Sequence, residues 1–300
     1  MQAKEWKLGV STISWNKSPE TVLSREMFEA YQKGGIDCLE ISTNWALYDK
    51  INYRETEKLS KEFEIELWSY HLPYMPFPEV DITSKDKHVR DAAFEKQSNY
   101  IKKAADIGIK TIVIHPSIEP NAPEDREELI KCTQDSLVRF AQLGEQCGVV
   151  LAVENLPRTC IGNCSDDIKK LISVDDRLKV CFDTNHLLIE DNAKFIQALG
   201  DKIITTHVSD YNFLNEQHWL PYEGLIDWKQ LISLLEKVGY SGPFLYELGL
   251  IAPNTIKRRE LTYTDFRNNY LALINAQTPE ILGKIDDTCF KKIYFETKQF

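Results

Sequence analysis

The feature that most constrains the fold of this chain is a regular alternation of short apolar runs with longer amphipathic stretches. The short runs are rich in Val, Ile, Thr and aromatic residues, a composition typical of buried parallel β-strands. The runs span residues 7–14, 36–42, 65–71, 111–115, 149–155, 178–184, 203–209 and 243–248. The sequence therefore predicts eight strands, each followed by a longer segment.

Helical periodicity fills the intervals between these runs. The clearest example is 123–147, which has its large apolar residues on one face and acidic residues in its first turn. The other predicted helices cover 20–33, 52–63, 91–107, 165–173, 192–199, 227–238 and 260–275. Asp227 and Ser165 are of types that cap helices, and they are expected to cap the starts of two of them.

Eight strands alternating with eight helices predict an α/β fold, a single-domain (β/α)8 TIM barrel. A large doubly wound sheet is the alternative, but no GxGxxG follows the first strand, which disfavours a dinucleotide-binding fold. We expect the barrel to occupy residues 1–276. Residues 277–300 fall outside the eight units and are expected to form a C-terminal extension packed on the barrel.

Composition narrows the classes of function. The net charge of −10 disfavours nucleic acid and membrane surfaces as partners. The N-terminus, MQAKEWKLGVST, lacks the apolar core of a signal peptide, and no apolar run is long enough to span a membrane. Seven scattered cysteines favour reduced thiols and a cytoplasmic enzyme, and the close pair Cys160 and Cys164 lacks the second pair of a zinc knuckle. The sequence leaves a homo-oligomer open.

Active sites of this fold lie at the carboxyl ends of the strands, so the polar residues that finish each run are the informative ones. Five of the six histidines lie at or just after a strand end, where packing alone would place Val, Ile or Leu. The strand-end residues are, in chain order, His71, His115, Glu154, Asp183, His207 and Glu247, with Asn155, His186 and Asp210 close behind.

A lone strand-end carboxylate is ordinarily a helix cap or an ion-pair partner, and a lone histidine is ordinarily a hydrogen-bonded core residue. The whole set, in register on successive strands, is hard to produce by packing. Glu154, Asp183 and Glu247 would converge at the barrel mouth and could not all stay ionised without a cation. Together with His207 they predict a divalent metal site, with Mn²⁺, Zn²⁺, Co²⁺ or Mg²⁺ as candidates.

The motifs WSYHLPY, TIVIHPS, VLAVENLP, VCFDTNH, ITTHVSDY, HWLPYEGLIDW and FLYEL follow one another between residues 7 and 275. In order and spacing they resemble the xylose isomerase-like TIM-barrel superfamily, the sugar isomerase/epimerase family. The resemblance implies that Glu154, Asp183, His207 and Glu247 ligate the metal, and that His186 contacts the substrate or a second metal. The segment from His218 to Gly224 departs from the family's Pro-Gly-x-Gly turn, because Tyr222 and Glu223 replace the first Gly and its neighbour.

Glu154 and Glu247 end strands that lie across the barrel from each other, which makes them the candidate catalytic pair. A metal between them would polarise a substrate carbonyl and stabilise an enediolate. Two bases on opposite faces give epimerisation, and a single base that moves the proton between neighbouring carbons gives aldose–ketose isomerisation. Loss of a hydroxyl would instead give an inosose-type dehydratase, and a hydroxypyruvate isomerase would use the same site.

The substrate is expected to be a small sugar or polyol. The predicted substrate-binding residues are His186, His71, His115, His218, Trp15 and Trp219, and Trp45, Tyr70 and Tyr74 are further candidates for the aromatic rim. Three of these histidines, His71, His115 and His218, could alternatively hold a second metal. No Gly-rich phosphate cradle follows strands seven and eight. Arg158 and the run 257–259 could meet an anionic group but are interpreted as solvated surface charges. No arginine stands at 212–213, where ketose epimerases of this family carry one.

One alternative of another class is an abasic-site DNA repair enzyme of the endonuclease IV type. The strand-end residues match most of that group's trinuclear zinc set, with Glu216 in place of an Asp. The acidic charge and the run ENLPRT, which lacks the repair enzymes' small residues, disfavour this alternative. A non-catalytic metal-binding barrel is a second alternative, although nothing in the strand-end set is broken.

Overall fold

The computed structural model describes residues 6–15, 17, 21–77 and 79–286. Eight parallel strands form one sheet that curls into a nearly closed barrel, as predicted. The strands are β1 (Leu8–Ser11), β2 (Cys38–Ile41), β3 (Glu66–His71), β4 (Thr111–Ile114), β5 (Val150–Glu154), β6 (Lys179–Asp183), β7 (Ile203–His207) and β8 (Phe244–Tyr246). Each strand lies within one predicted run, so the strand predictions are confirmed.

Pairing of β8 with β1, and a backbone contact between the ends of β7 and β8, bring the barrel close to closure. Val10 of β1 lies opposite Leu39 of β2 on one side and Tyr246 of β8 on the other. Beyond the end of β7, the backbone N–H of Val208 donates to the carbonyl of Leu245 at 2.8 Å. These contacts bring the carboxyl ends of all eight strands to one mouth.

Eight α-helices surround the barrel within the described ranges. They are α1 (Arg25–Gly34), α2 (Tyr53–Phe63), α3 (Lys87–Asp106), α4 (Arg126–Cys147), α5 (Ser165–Ile172), α6 (Asn192–Leu199), α7 (Trp228–Lys237) and α8 (Tyr263–Ile274). The predicted apolar face of α4 is buried, including Leu137 and Phe140. Apolar helix faces therefore pack on an apolar strand layer, which is why the strands are buried on both sides.

The two predicted helix caps differ in outcome. Asp227 caps α7, and its carboxylate accepts a hydrogen bond from the backbone of Gln230 at 3.0 Å. The prediction for Ser165 is wrong, because this residue is the first helical residue and the cap position, Cys164, makes no side-chain cap hydrogen bond. Glu190 supplies the missing acceptor instead and takes hydrogen bonds from the backbone N–H and the hydroxyl of Ser165.

The chain continues past α8 along the outside of the barrel. Strand β10 (Lys284–Ile285) pairs antiparallel with β9 (Ile256–Lys257). Residues 287–300 of the predicted extension, which include Cys289, lie outside the described residues, and the boundary at residue 277 stays a prediction. Among the described helices, none has the length and apolar character needed to cross a membrane.

Candidate active site

A cavity of about 550 Å³ opens at the carboxyl ends of the strands. Its floor carries the imidazoles of His71 and His115 and the carboxylates of Glu154 and Glu247. His186 and His218 line it from the loops that follow β6 and β7. The barrel thus gathers four predicted substrate-binding histidines and both predicted catalytic glutamates in one space.

Four side chains at or below this floor form the inner cluster, namely Glu154, Asp183, His207 and Glu247. They end β5, β6 and β7 or directly follow β8, and all four are buried. One potential ligand atom from each lies within 4.8 Å of the others. The structure therefore brings together the four residues predicted to hold a metal.

His207 lies at the centre of the inner cluster. Its Nδ1 atom is 3.1 Å from Oε1 of Glu154, 3.4 Å from Oε2 of Glu247 and 3.9 Å from Oδ2 of Asp183. That Oδ2 atom is buried and has no hydrogen-bond partner, although its neighbour Oδ1 accepts from the backbone of Asn185 at 2.6 Å. An unpaired buried carboxylate oxygen is costly, and a cation among these oxygens would satisfy it.

Neighbouring strands hold the cluster in place through backbone hydrogen bonds. The side-chain amide of Asn155 donates to the carbonyl of Asp183 at 2.9 Å and accepts from its N–H at 2.8 Å. This pair of bonds locks the end of β5 against the end of β6. Glu154 at the end of β5 is thus one candidate ligand, and the residue after it, Asn155, positions a second candidate ligand, Asp183.

Sequence reasoning missed one buried member of the site, Glu40 in β2. Its carboxylate lies 3.0 Å from Nε2 of His207 and accepts a hydrogen bond from the hydroxyl of Ser69 at 2.8 Å. A carboxylate on the far nitrogen of a ligating histidine orients the ring and makes it a stronger ligand. The sequence did contain a signal for this residue, because Glu40 is the one charged residue in the otherwise apolar strand β2.

The acids of the inner cluster differ in their ionisation. Burial, followed by the charge of Glu154, raises the pKa of Asp183, and burial likewise raises the pKa of Glu247. Burial also opposes ionisation of Glu154, but the imidazoles of His207 and His115 outweigh it and hold the pKa of Glu154 well below its usual range. Without a cation, the cluster therefore keeps one carboxylate charged and favours protons on the other two.

The contacts of His71 favour a protonated, positively charged imidazole beside Glu154. Its Nδ1–H donates to the carbonyl of Leu72 at 2.8 Å, which leaves Nε2 facing Oε2 of Glu154 at 3.1 Å. A neutral ring would point a lone pair at that oxygen. Burial lowers the pKa of His71, but the hydrogen bond to Glu154 more than compensates and raises the pKa to about 9.

A second group of potential ligands, the rim cluster, consists of His186, Glu216 and His218. The Nδ1–H of His186 donates to the carbonyl of Asn155 at 2.9 Å, and that of His218 donates to the carbonyl of Glu247 at 3.0 Å. These bonds leave the Nε2 atom of each ring free to bind. His218 therefore belongs with His186 and Glu216, whereas His71 groups with Glu154 and His207.

Arg158 forms an ion pair with Glu216, the carboxylate of the rim cluster. Its Nη1 donates to Glu216 at 2.8 Å, and its Nε donates to Glu119 at 2.9 Å. Arg158 adopts a positive φ of 49°, and it lines the cavity together with both glutamates. Arg158 is thus an exposed residue, as interpreted from the sequence, but carboxylates at the edge of the cavity engage its charge.

The family model described as the xylose isomerase-like TIM barrel matches residues 28–263. The chain belongs to this family. It is 24% identical over 286 residues to an uncharacterised protein of Methanocaldococcus jannaschii, covering 92% of this chain and 93% of that protein. It is 25% identical over 263 residues to a Haemophilus influenzae protein proposed to be an L-ribulose-5-phosphate 3-epimerase, covering 82% of this chain and 89% of that protein.

Sugar epimerases are also among the solved structures with this fold. One is a 3-keto-D-glucoside 4-epimerase from E. coli, which superposes with a TM-score of 0.71 at 20% identity. The match covers 90% of this chain and all (100%) of that chain. This similarity supports the xylose isomerase-like fold, and the family match agrees with the resemblance seen in the motifs.

The loop after β7 shows how this xylose isomerase-like barrel accommodates its departure from the family turn. Tyr222 adopts φ of 76°, a conformation that favours glycine. The backbone N–H of Tyr222 donates to Asp210 at 2.9 Å, and the indole of Trp228 donates to the same carboxylate at 2.7 Å. Glu223 forms a buried ion pair with Arg258 at 3.3 Å, so the interpretation of Arg258 as a surface charge is wrong. Buried polar contacts thus stabilise the turn in which Tyr222 and Glu223 replace the family's glycine and its neighbour.

The aromatic predictions divide between the cavity and the core. Tyr74 lines the cavity and stacks on His115, with ring centroids 4.9 Å apart. The structure does not bring the two predicted tryptophans to this cavity. Trp219 is fully buried and donates to Thr255 at 3.0 Å, and the buried indole of Trp15 donates to Thr21 at 2.8 Å. Trp45 borders a smaller adjoining pocket, which also contacts Tyr74.

Proposed function

We propose that this chain is a divalent-metal-dependent epimerase or isomerase of small keto sugars. Family membership and the similarity to sugar epimerases support the class of reaction. The donor set of the inner cluster, three carboxylates and one imidazole, suits Mn²⁺, Zn²⁺, Co²⁺ or Mg²⁺. The unpaired oxygen of Asp183 and the carboxylates around His207 fit a bound cation.

One observation carries the proposal: of the four inner residues, Glu154 and Glu247 line the cavity, whereas Asp183 and His207 do not. The two glutamates can therefore contact both a cation below them and a substrate above them. Asp183 and His207 can only serve the cation. This division is what a site needs if two of its ligands also carry protons.

A bound divalent ion would supply electrophilic polarisation of the substrate carbonyl and so acidify the neighbouring C–H group. Glu154, which is ionised, accepts the carbon-bound proton and leaves an enediolate. Glu247 also lines the cavity and suits the complementary role, the return of a proton to the opposite face of the carbon. His71 and His115 contact the carboxylate of Glu154. Their imidazoles stabilise its negative charge before it accepts the proton and after it releases it.

The Glu154→Gln and Glu247→Gln variants test this mechanism at saturating Mn²⁺. Deuterium uptake from D₂O would be followed for D-fructose, methyl 3-keto-β-D-glucopyranoside, an inosose and hydroxypyruvate. We expect each variant to lose about 10²- to 10⁴-fold in rate, because an amide cannot carry the proton. Glu128→Gln, a replacement of an exposed glutamate, serves as the control.

The pattern of residual exchange separates the chemistries that share this site. In a two-base epimerase, each variant would still exchange one of the two epimers. In a one-base isomerase, one variant would lose exchange completely and the other would keep much of it. Release of water from the inosose would identify a dehydratase. Full activity of both variants would show that neither glutamate carries a proton.

The rim cluster favours one other function, cleavage of DNA at abasic sites, because it adds a second possible metal site. The ion pair between Arg158 and Glu216 opposes this function, since the guanidinium already compensates that carboxylate. Incubation of the metal-loaded protein with a duplex oligonucleotide that contains one abasic site tests it directly. Metal-dependent cleavage at that site would favour the repair function over the epimerase.

A further inference from the structure

The cavity is larger than a free monosaccharide requires. Its volume is about 550 Å³. Pockets of roughly 300–1,000 Å³ hold drug-sized ligands. A ketose placed on the carboxylate floor would therefore leave a substantial part of the cavity empty.

The walls above the floor are apolar. Six side chains on the loops after β1, β3, β4, β5 and β8 form this apolar collar, namely Ile13, Met75, Phe77, Ile118, Leu156 and Leu248. Two of them are unusually open for large apolar residues, since Ile13 is 47% exposed and Phe77 is 42% exposed. Exposed apolar surface grouped around a polar floor is typical of a ligand-binding groove.

The charges in the cavity disfavour an anionic group on the substrate. Among the described lining residues, Arg158 is the one guanidinium or ammonium group, and four glutamates line the same space. The donors of Arg158 are engaged by Glu119, Asn215 and Glu216. A phosphate would have to displace two carboxylates to reach that guanidinium, and it would meet the remaining acids.

We infer that the substrate is a neutral keto-glycoside, with its sugar on the carboxylate floor and an apolar or aromatic aglycone against the apolar collar. This inference rests on the proposed function for the sugar end and adds the chemistry of the other end. Phe77 and Tyr74 offer aromatic faces at the level where an aglycone would leave the sugar ring. The collar residues act as specificity-determining residues, and they carry no proton.

The test compares methyl and phenyl 3-keto-β-D-glucopyranoside on the Mn²⁺-loaded full-length protein. Calorimetry gives the Kd of each, and solvent deuterium uptake gives kcat/KM. We expect the phenyl glycoside to be favoured by roughly tenfold or more in both measurements. The 6-phosphate of the methyl glycoside should bind more weakly than the unmodified compound.

Replacement of the collar should remove this preference selectively. In Phe77→Ala the ratio of the two Kd values should fall several-fold, while the Kd of the methyl glycoside stays unchanged. Leu271→Ala, a replacement of a comparably exposed residue on the outer surface of α8, should keep the full preference. Ile13→Ala provides an independent collar variant if Phe77→Ala does not fold, as judged by circular dichroism.

Different outcomes separate this inference from the proposed function. Exchange with equal kcat/KM and equal Kd for the methyl and phenyl glycosides would overturn the inference and leave the epimerase intact. A phenyl preference in calorimetry without exchange of any substrate would overturn the epimerase and leave the inference intact. Tighter binding of the phosphorylated methyl glycoside would overturn the inference.

The inference would also be overturned if the protein shows no phenyl preference and forms a dimer in sedimentation that Phe77→Ala dissociates. The collar would then be an interface between copies of this chain.

Discussion

The inner and rim clusters contain similar ligand types but are built differently. The inner residues end strands or directly follow one, and they are buried, so adjacent β-strands fix their positions. The rim residues His186, Glu216 and His218 lie on loops, and Glu216 and His218 are only partly buried. The inner cluster also leaves one buried oxygen, Oδ2 of Asp183, without a partner, whereas Glu216 of the rim is paired with Arg158.

This difference shows that ligand type alone does not define a metal site. In the inner cluster, several acids share one small volume, and their charge is compensated only by protons, imidazolium or a cation. In the rim cluster, a guanidinium already supplies that compensation. We therefore expect the first equivalent of metal to bind at the inner cluster and the rim residues to act mainly on substrate.

The largest expected effect comes from removing one charge from each cluster. Asp183→Asn should weaken Mn²⁺ binding by more than about 100-fold, because it removes a ligand charge from a buried site. Glu216→Gln should leave the first equivalent close to its wild-type affinity. Calorimetric titration of both purified variants and of wild type gives the comparison. Equal losses in the two variants would show that the clusters act as one site.

A smaller effect is expected from the support behind His207. Glu40→Gln should lower Mn²⁺ affinity by about 10- to 100-fold, because the carboxylate no longer orients the ring or strengthens its Nδ1. Glu66→Gln provides a matched control, since Glu66 lies in β3 but pairs with Lys7 at the surface. Wild-type affinity in Glu40→Gln would mean that the carboxylate only fills buried space. A shift in the pH dependence of binding would distinguish positioning from simple loss of stability.

The smallest expected effect is the pH dependence of metal binding. In the metal-free protein the pKa values of Asp183 and Glu247 are raised, so protons compete with the cation as the pH falls through those values. Burial lowers the pKa of His207, but Cys181 and the neighbouring carboxylates outweigh it and raise that pKa well above its usual value, so the proton of His207 must also leave before the ring can bind the cation. Affinity should therefore rise with pH by about tenfold per pH unit for each proton displaced. Glu216 behaves in the opposite way. Burial opposes its ionisation, but His186 and Arg158 lower its pKa, so binding at the rim would release no proton from it.

Calorimetry in buffers of different ionisation enthalpy counts the protons released on Mn²⁺ binding. Release that falls by about one proton per metal in Asp183→Asn and is unchanged in Glu216→Gln would place the titrating acids in the inner cluster. Affinity that does not change between acidic and neutral pH would contradict the assignment. The same titrations distinguish one equivalent of metal from two.

Local chain properties were sufficient to predict the eight strands and the helices between them. Val, Ile and Thr in short runs favour buried strands, and the apolar faces of segments such as α4 favour helices packed on them. Parallel strands align their carboxyl ends, so the sequence alone could also group Glu154, Asp183, His207 and Glu247 at one mouth. Neither result required knowledge of any side-chain contact.

Only the tertiary structure decided which atoms of these residues meet. Glu40 and His207 are 167 residues apart, and nothing in either local sequence shows that a carboxylate and an imidazole nitrogen lie in contact. The same holds for Arg158, whose partners come from two other loops, and for Trp219, which the loop after β7 turns into the core. Periodicity reports which face of an element is buried, whereas side-chain orientation depends on packing between segments distant in the chain.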